Sequence, residues 1–391
     1  MRSVEILQNE LDGSLQHVHV QRRAAVWRAV SGLLLGGKLW LTGLGRALPG
    51  RTSDKHRIKA ADRLLGNRKL HAELLGFYRA LAHRLLRRTA APVIAVDWSK
   101  VGDQHYMLSA QLCCDGRTLP LASRVYPKSQ LANRSVHNRF LDELADIVPA
   151  GCTPILLTDA GFHASWFDAV HARGWHYVGR VRNRTKARHQ GRWVKVSSLH
   201  ALAASRPRNL GSLLLPKSKP RSYRLVLSAQ PKLKGRKRIN TLGVPGRKKV
   251  DRDCSKAARE PWLLATSLDS NAAFVVQLYS LRMQIEQSFR DSKSYRYGWA
   301  LNLVKSASTA RIEVLLLLAA LASVVTQTVG RAAARCGLQR LFQANTIRIR
   351  RVFSFFVLGL LVIRTGHIIA ASTLLACFNE AIVLVRNNGQ C

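Results

Sequence analysis

The sequence predicts an α/β fold, on three observations. Pro92-Val-Ile-Ala-Val-Asp97 and Pro154-Ile-Leu-Leu-Thr-Asp159 are short apolar runs that each end in an aspartate, as buried strands do where they leave a core. Between them, residues 106–114 and 119–126 flank a Cys114-Asp115-Gly116-Arg117 turn and read as a hairpin. Helical spacing lies on both sides, beginning with Leu33, Leu41, Leu44 and Leu48 and resuming after the last strand.

In chain order, residues 1–88 read as a helical DNA-binding domain. Pro49-Gly50 breaks the helical pattern, Ser53 or Asp54 caps a new helix, and Gly66-Asn67 closes it after Leu65. Lys55, Lys59 and Arg63 line one face of that helix, with Ile58, Ala61 and Leu65 on the other. A turn followed by a basic amphipathic helix suits docking on DNA, although a charged stripe is also what a plain solvated face looks like. A fragment of residues 1–88 is expected to bind DNA by itself.

Residues 89–182 hold the strands above, a helix near 138–147, another over 162–173 and a strand at 176–182. They form the first part of an α/β core. Residues 183–261 differ in texture: fifteen Lys or Arg fall between Lys217 and Arg259, broken by Pro and Gly, with strand-like pieces such as Tyr223 to Leu227. This is a basic β-rich insertion lying on phosphates, or else a basic linker. A strand from Leu263 to Thr266 opens the second part of the core, 262–335, and 336–391 is a helical C-terminal region. The apolar runs 314–329, 352–363 and 368–377 fall short of the ~20 residues of a spanning helix. They read as buried core helices, so no membrane segment or membrane partner is expected.

The charge is the strongest bulk signal. The 391 residues carry 62 Lys and Arg against 22 Asp and Glu, a net +40. That excess calls for a polyanionic partner, and nucleic acid is the natural one. With 47% apolar residues the chain is not a disordered basic tail. Seven cysteines without a CxxC pair argue against a disulfide framework or a zinc site. The polar N-terminus lacks the core of a signal peptide. A reducing cytoplasm is the expected location.

Carboxylates at strand ends are costly unless they are paired or bound to a metal. Phosphodiester chemistry with two Mg²⁺ ions (Mn²⁺ can substitute) needs such a cluster, the ions sitting about 3.5–4 Å apart. A third carboxylate comes from Tyr279-Ser-Leu-Arg282-Met-Gln-Ile-Glu286-Gln-Ser-Phe-Arg290-Asp-Ser-Lys293. On a continuous helix Tyr279, Arg282, Glu286 and Lys293 share an arc of about 60°. A metal ligand, two phosphate-binding cations and a tyrosine thus fall on one stripe, with Arg290 nearby.

The spacing Y-x2-R-x3-E-x6-K resembles the signature of the IS-four family of bacterial insertion-sequence transposases, most closely its transposon-ten branch. Supporting stretches are Lys55-His56, Asp62-Arg63-Leu64-Leu65-Gly66-Asn67, Val96-Asp97-Trp98-Ser99, Thr158-Asp159-Ala160-Gly161-Phe162, Glu260-Pro261-Trp262 and Phe342-Gln343-Ala344-Asn345-Thr346. The resemblance implies an RNase-H-like catalytic core with Asp97, Asp159 and Glu286 as its DDE triad. It also implies cut-and-paste chemistry: binding of terminal inverted repeats, strand hydrolysis, a hairpin that forms and reopens, and transfer of 3′-OH ends to target DNA. Synapsis of two ends implies a homodimer on double-stranded DNA. Trp262 matches a tryptophan that stacks on a flipped base, though a core aromatic at the start of a strand would look the same. His163 stands where relatives carry a lysine and has no assigned role.

The basic helix gives the first test. Changing Lys55, Lys59 and Arg63 together to Ala is expected to weaken binding to transposon-end DNA. The slope of log K against log salt should become shallower by about 0.9 for each phosphate no longer neutralised. Titrations at several salt concentrations measure both, and an unchanged slope would make the stripe a solvated face.

Overall fold

The computed structural model describes residues 2–182, 185–229, 260–347 and 349–381. The chain opens with helices α1 (Arg2–Asp12), α2 (Val20–Leu34), α3 (Leu41–Ala47), α4 (Asp54–Leu65) and α5 (Arg68–Leu86). Strands β1 (Val93–Val101), β2 (His105–Cys113) and β3 (Thr118–Pro127) lead to α6 (Arg134–Ile147). Then come β4 (Ile155–Thr158), α7 (Ala164–His171), β5 (His176–Arg180), β6 (Lys186–His189), β7 (Arg192–Lys195), β8 (Arg208–Leu215), β9 (Arg221–Ser228) and β10 (Trp262–Thr266). The remaining helices are α8 (Ala272–Ser280), α9 (Met283–Lys293), α10 (Thr309–Arg335), α11 (Phe355–Arg364) and α12 (Ala371–Ala381). The mixed α/β class expected from the sequence is what is observed. Two compact units divide it: Met1–Pro154 with Arg282–Cys391, and Ile155–Leu281.

In the first unit, β3, β2 and β1 form an antiparallel meander in that order, with Gly116 at φ +73° in the turn between β2 and β3. The sequence ends the first strand at Asp97, but β1 continues to Val101 because β2 pairs with it along its whole length, from Ile94 opposite Leu112 to Val101 opposite His105. Asp97 therefore sits in mid-strand, opposite Ser109. Polar Ser99 and Lys100 are tolerated beyond it because that end of the strand is only partly covered.

Helix α10 is the core of this unit. It is long and apolar enough to cross a membrane by length and composition, and 94% of that apolar stretch is buried within the protein. A helix apolar all round must be enclosed by other elements. Here α1, α2, α4, α5, α11, α12 and β3 pack against it. The N-terminal helices thus bury their apolar faces on a helix more than two hundred residues away in sequence. Substitutions on α4 are therefore best tested in the intact chain. Helix α4 itself begins after Ser53 and ends at Gly66 as expected, with Lys55, Lys59 and Arg63 exposed and Ala61 and Leu65 buried.

In the second unit the strand order is β4-β5-β10-β9-β8-β6-β7. β4 and β5 are parallel, joined through α7, while β10 runs antiparallel to both β5 and β9. Strands β6 to β9 from the basic stretch therefore extend the same sheet as β4 and β5. Most of the Lys and Arg run, residues 230–259, lies outside the described residues.

Helices α10 and α11 cross at glycine. A methyl group on Gly330 would overlap the Phe355 carbonyl, and one on Gly359 would overlap the Thr326 carbonyl. Gly330→Ala or Gly359→Ala must push the helices apart and is expected to cost about 1–3 kcal/mol, the usual cost of overpacking. Gly13→Ala, with no atom within 4 Å of the added carbon, is expected to be tolerated. Urea midpoints of the three variants decide it, and equal midpoints would mean that the crossing has slack.

Candidate functional site

Residues Tyr279 to Lys293 do not form one helix. α8 ends at Ser280 and α9 starts at Met283, with short-range bonds from the Leu281 N–H to the Leu278 carbonyl and from the Ile285 N–H to the Arg282 carbonyl. Leu281 and Arg282 both keep right-handed helical angles, so nothing in the sequence (no Gly, no Pro) marks the break. The four-residue stripe is corrected accordingly. Glu286 and Lys293 lie on α9, Arg282 precedes it, and Tyr279 belongs to α8 in the other unit.

Within the first unit, three elements hold the site. One flank of α9 docks on the hairpin turn. The Gln284 side-chain oxygen accepts from the Cys114 N–H at 2.9 Å, and the Ser288 hydroxyl accepts from the Thr118 N–H at 2.9 Å. Arg117 pairs with Asp291 at 2.6 Å. Ile285 and Phe289 are buried beside this flank, and the opposite flank carries Glu286 and Lys293. Underneath, β1 presents Asp97 and, two residues on along the same strand face, Ser99.

Arg282 joins the strand to the helix. Its guanidinium lies 3.4 Å from Asp97 Oδ2 and donates to Glu286 Oε1 at 2.6 Å. Asp97 also accepts from the Trp98 N–H at 2.8 Å through Oδ1. The Trp98 indole, in turn, donates to His137 at 3.1 Å, which holds this part of β1 against α6. Lys293 donates to the Ser99 hydroxyl at 2.8 Å. Burial pushes the Lys293 ammonium below the ordinary lysine range, Asp97 pulls it back, and Lys100 adds to the lowering. Arg290 is exposed on α9.

The second unit carries the other candidates. Asp159 directly follows β4 and accepts from the Gly161 N–H at 2.8 Å, an Asx turn that orients the carboxylate. Trp262 opens β10, half-buried, with its ring edge-on to buried Tyr279 at 4.8 Å between centroids. Nearby, Arg180 and Arg182 reach Glu260 at 3.5 and 2.5 Å. Thus Asp97, Arg282, Glu286 and Lys293 are gathered in one unit, while Asp159, Trp262 and Tyr279 belong to the other. Lys55, Lys59 and Arg63 are on the surface of α4. Among the described residues no three His, Cys, Asp or Glu side chains form a metal-holding group. Sequence reasoning missed Ser99 and the Gln284, Ser288 and Asp291 anchors. The i, i+2 spacing from Asp97 could have found Ser99, whereas the anchors depend on tertiary contact alone.

Arg282 is the counter-ion of both Asp97 and Glu286. Arg282→Ala is expected to lower stability by about 1–3 kcal/mol, because the charged hydrogen bonds go and two carboxylates are left facing each other. Arg282→Lys is expected to recover part of this, keeping the charge without the two-pronged reach. Denaturant melts of both variants test it, and an Ala variant as stable as the parent would show that the guanidinium neutralises nothing.

A family model described as a transposase DDE domain matches residues 88–323, more than half of the chain. No curated protein matches the chain. The matched span begins just before β1 and includes Asp97, Asp159 and Glu286. The mixed sheet with flanking helices is consistent with the RNase-H-like core expected of such a domain. The chain belongs to the DDE transposases of the IS-four-like superfamily, DNA-binding enzymes that cleave DNA and transfer its strands with the help of divalent metal ions.

Proposed function

We propose that this transposase moves an insertion sequence by cut-and-paste, in the manner of the transposon-ten branch. It binds terminal inverted repeats, hydrolyses strands at the ends, forms and opens hairpins, and joins 3′-OH ends to target DNA as a homodimer holding two ends. The observation that carries the reading is the gathering of Asp97, Arg282, Glu286 and Lys293 around β1 and the start of α9. Two carboxylates, a guanidinium and an ammonium are the groups needed to hold cations and phosphates side by side. A bacterial, nucleoid-associated setting is part of the same proposal.

The donor chemistry fits hard divalent cations. Asp97 and Glu286 offer carboxylate oxygens, and Asp159 ends its strand with a third carboxylate oriented by an Asx turn. These three would hold two Mg²⁺ or Mn²⁺ ions, which when bound supply an activated attacking oxygen and a neutralised leaving oxygen. The chain's own residues do the rest. Arg282 neutralises Asp97 and Glu286 and would contact a phosphate oxygen of the bound DNA. Lys293, held by Ser99, and exposed Arg290 extend that phosphate surface along α9. Tyr279 supports Trp262, whose half-buried indole keeps a face for a flipped base. Lys55, Lys59 and Arg63 contact the DNA backbone away from the cut.

Two tests follow. Asp97→Ala, Asp159→Ala and Glu286→Ala are each expected to abolish cleavage while binding of end DNA stays within a few-fold of the parent, because affinity is spread over many basic side chains. Nicking retained by any one variant, in a gel assay, removes that residue from the triad. Trp262→Ala is expected to spare the first nick and slow hairpin formation about ten-fold. Base–aromatic stacking returns roughly 1–3 kcal/mol, and ~1.4 kcal/mol is a factor of ten. A time course on a labelled end separates nicked, hairpin and opened species, and equal hairpin rates would make Trp262 a packing residue.

A further inference from the structure

Beyond α9 the chain makes a short, tightly bonded loop that displays aromatic rings to solvent. The Gly298 and Ala300 N–H groups both bond to the Ser294 carbonyl at 3.1 Å, and the Tyr297 N–H bonds to the Ser294 hydroxyl at 3.0 Å. Gly298 has no room for a side chain, since a methyl group there would overlap the Asp291 carbonyl. Trp299 is fully buried against Phe356, with 4.9 Å between ring centroids. The loop is therefore anchored at both ends. Its exposed side chains stand out by contrast: Tyr295 is 65% exposed and Tyr297 47%.

A second segment completes the surface. The Leu39 N–H bonds to the Trp299 carbonyl at 2.9 Å, and Lys38 donates to the Tyr295 carbonyl at 2.6 Å and to the Gly298 carbonyl at 3.0 Å. These bonds bring Trp40 into parallel alignment with Tyr295, with centroids 6.4 Å apart and planes 3° from parallel. Trp40 is itself packed over Gly43, where any added carbon would lie 2.7 Å from the indole nitrogen. Lys38 stands 5.0 Å from the Tyr295 ring centre, and the Arg296 guanidinium 5.1 Å from that of Tyr297. Aromatic faces are thus interleaved with cations on a backbone that cannot easily move.

The geometry points to a stacking platform for unpaired nucleotides, formed by Trp40, Tyr295 and Tyr297 with Lys38 and Arg296. The exposed Tyr295 and Tyr297 rings accept the face of any base, and half-buried Trp40 backs Tyr295. Lys38 holds the loop through its two carbonyl bonds, and exposed Arg296 accepts a phosphate between bases. This is the chemistry of sequence-tolerant single-strand binding. A duplex hides its base faces, so the platform selects DNA that has been opened. It begins two residues after Lys293 on the helix carrying Glu286. It would thus receive a strand freed beside the cut, and this inference rests on the reading of α9 as the catalytic helix.

The test uses the full-length protein and a short single-stranded oligonucleotide carrying 2-aminopurine, with a blunt duplex of the same sequence as reference. Parent protein is expected to quench the fluorescent base. Tyr295→Ala with Tyr297→Ala is expected to lower the ratio of single-strand to duplex affinity about ten-fold and to lose the quenching. Tyr295→Phe with Tyr297→Phe keeps the rings and is expected to retain both. Thermal melts check that the variants are folded. An unchanged ratio in the folded Ala variant overturns the platform, and so does a Phe variant that falls as far as the Ala one. Metal-dependent nicking of end DNA by the parent is measured alongside. Ring-dependent single-strand binding without nicking overturns the catalytic reading alone, whereas nicking with an unchanged ratio overturns the platform alone.

Discussion

The first unit depends on enclosing α10. An apolar helix of this length is soluble only when covered on all sides, and the elements that cover it are thereby placed. Two polar groups on α10 convert that cover into register. Glu313 at its start accepts from the Val125 N–H at 2.9 Å and pairs with Arg124 at 3.2 Å, fixing one end of β3. Gln327 donates to the Thr118 carbonyl at 3.0 Å, fixing the other. Because the hairpin turn is held there, Ser288 and Asp291 find Thr118 and Arg117 in place, and α9 settles against it. Arg282, Glu286 and Lys293 reach β1 as the last step of this chain of contacts.

Charge is divided unevenly between interior and surface. Arg84 pairs with Glu10, Arg22 with Glu73, Arg124 with Glu143 and Glu313, and Arg180 and Arg182 with Glu260. Many of the 22 acidic residues are engaged with arginines in this way. Among the described residues Lys55, Lys59, Arg63 and Arg290 face outward, where their charge is screened by salt and available to phosphates. Burial pushes the Glu313 carboxyl above the usual range, the Val125 N–H and Arg124 pull it back, and Glu143 opposes them. This pair serves the hairpin more than net stability, since buried ion pairs return little after desolvation.

The elements with a local signal were legible. Ser53 to Gly66 bracketed α4 to the residue, and the apolar runs marked β4, β5 and α10. What failed to show depended on partners far along the chain. β1 runs past Asp97 because β2 pairs with it, a fact that Trp98-Ser-Lys-Val101 does not advertise. The break between α8 and α9 carries no Gly or Pro, so local propensity favours one helix. Residues 2–88 look self-contained in sequence, yet their apolar faces close on α10. The site was legible as residue types at a spacing. The order in which Arg282 links Asp97 to Glu286, and the help Ser99 gives Lys293, came only from the fold.

The break before Met283 also changes what α9 does electrically. In an unbroken helix Glu286 would lie in the middle, indifferent to the peptide dipoles. Starting anew at Met283 puts its carboxylate in the first turn, at the positive end, and puts Arg290 and Lys293 in the last turn, at the negative end. Charges so placed each favour the helix by about 0.3–1 kcal/mol. The side chain offered to a cation thus also helps to hold the start of its own helix. Removing that negative charge would loosen the turn that carries Gln284 toward Cys114, so a change at Glu286 reaches the docking of α9 as well as its chemistry.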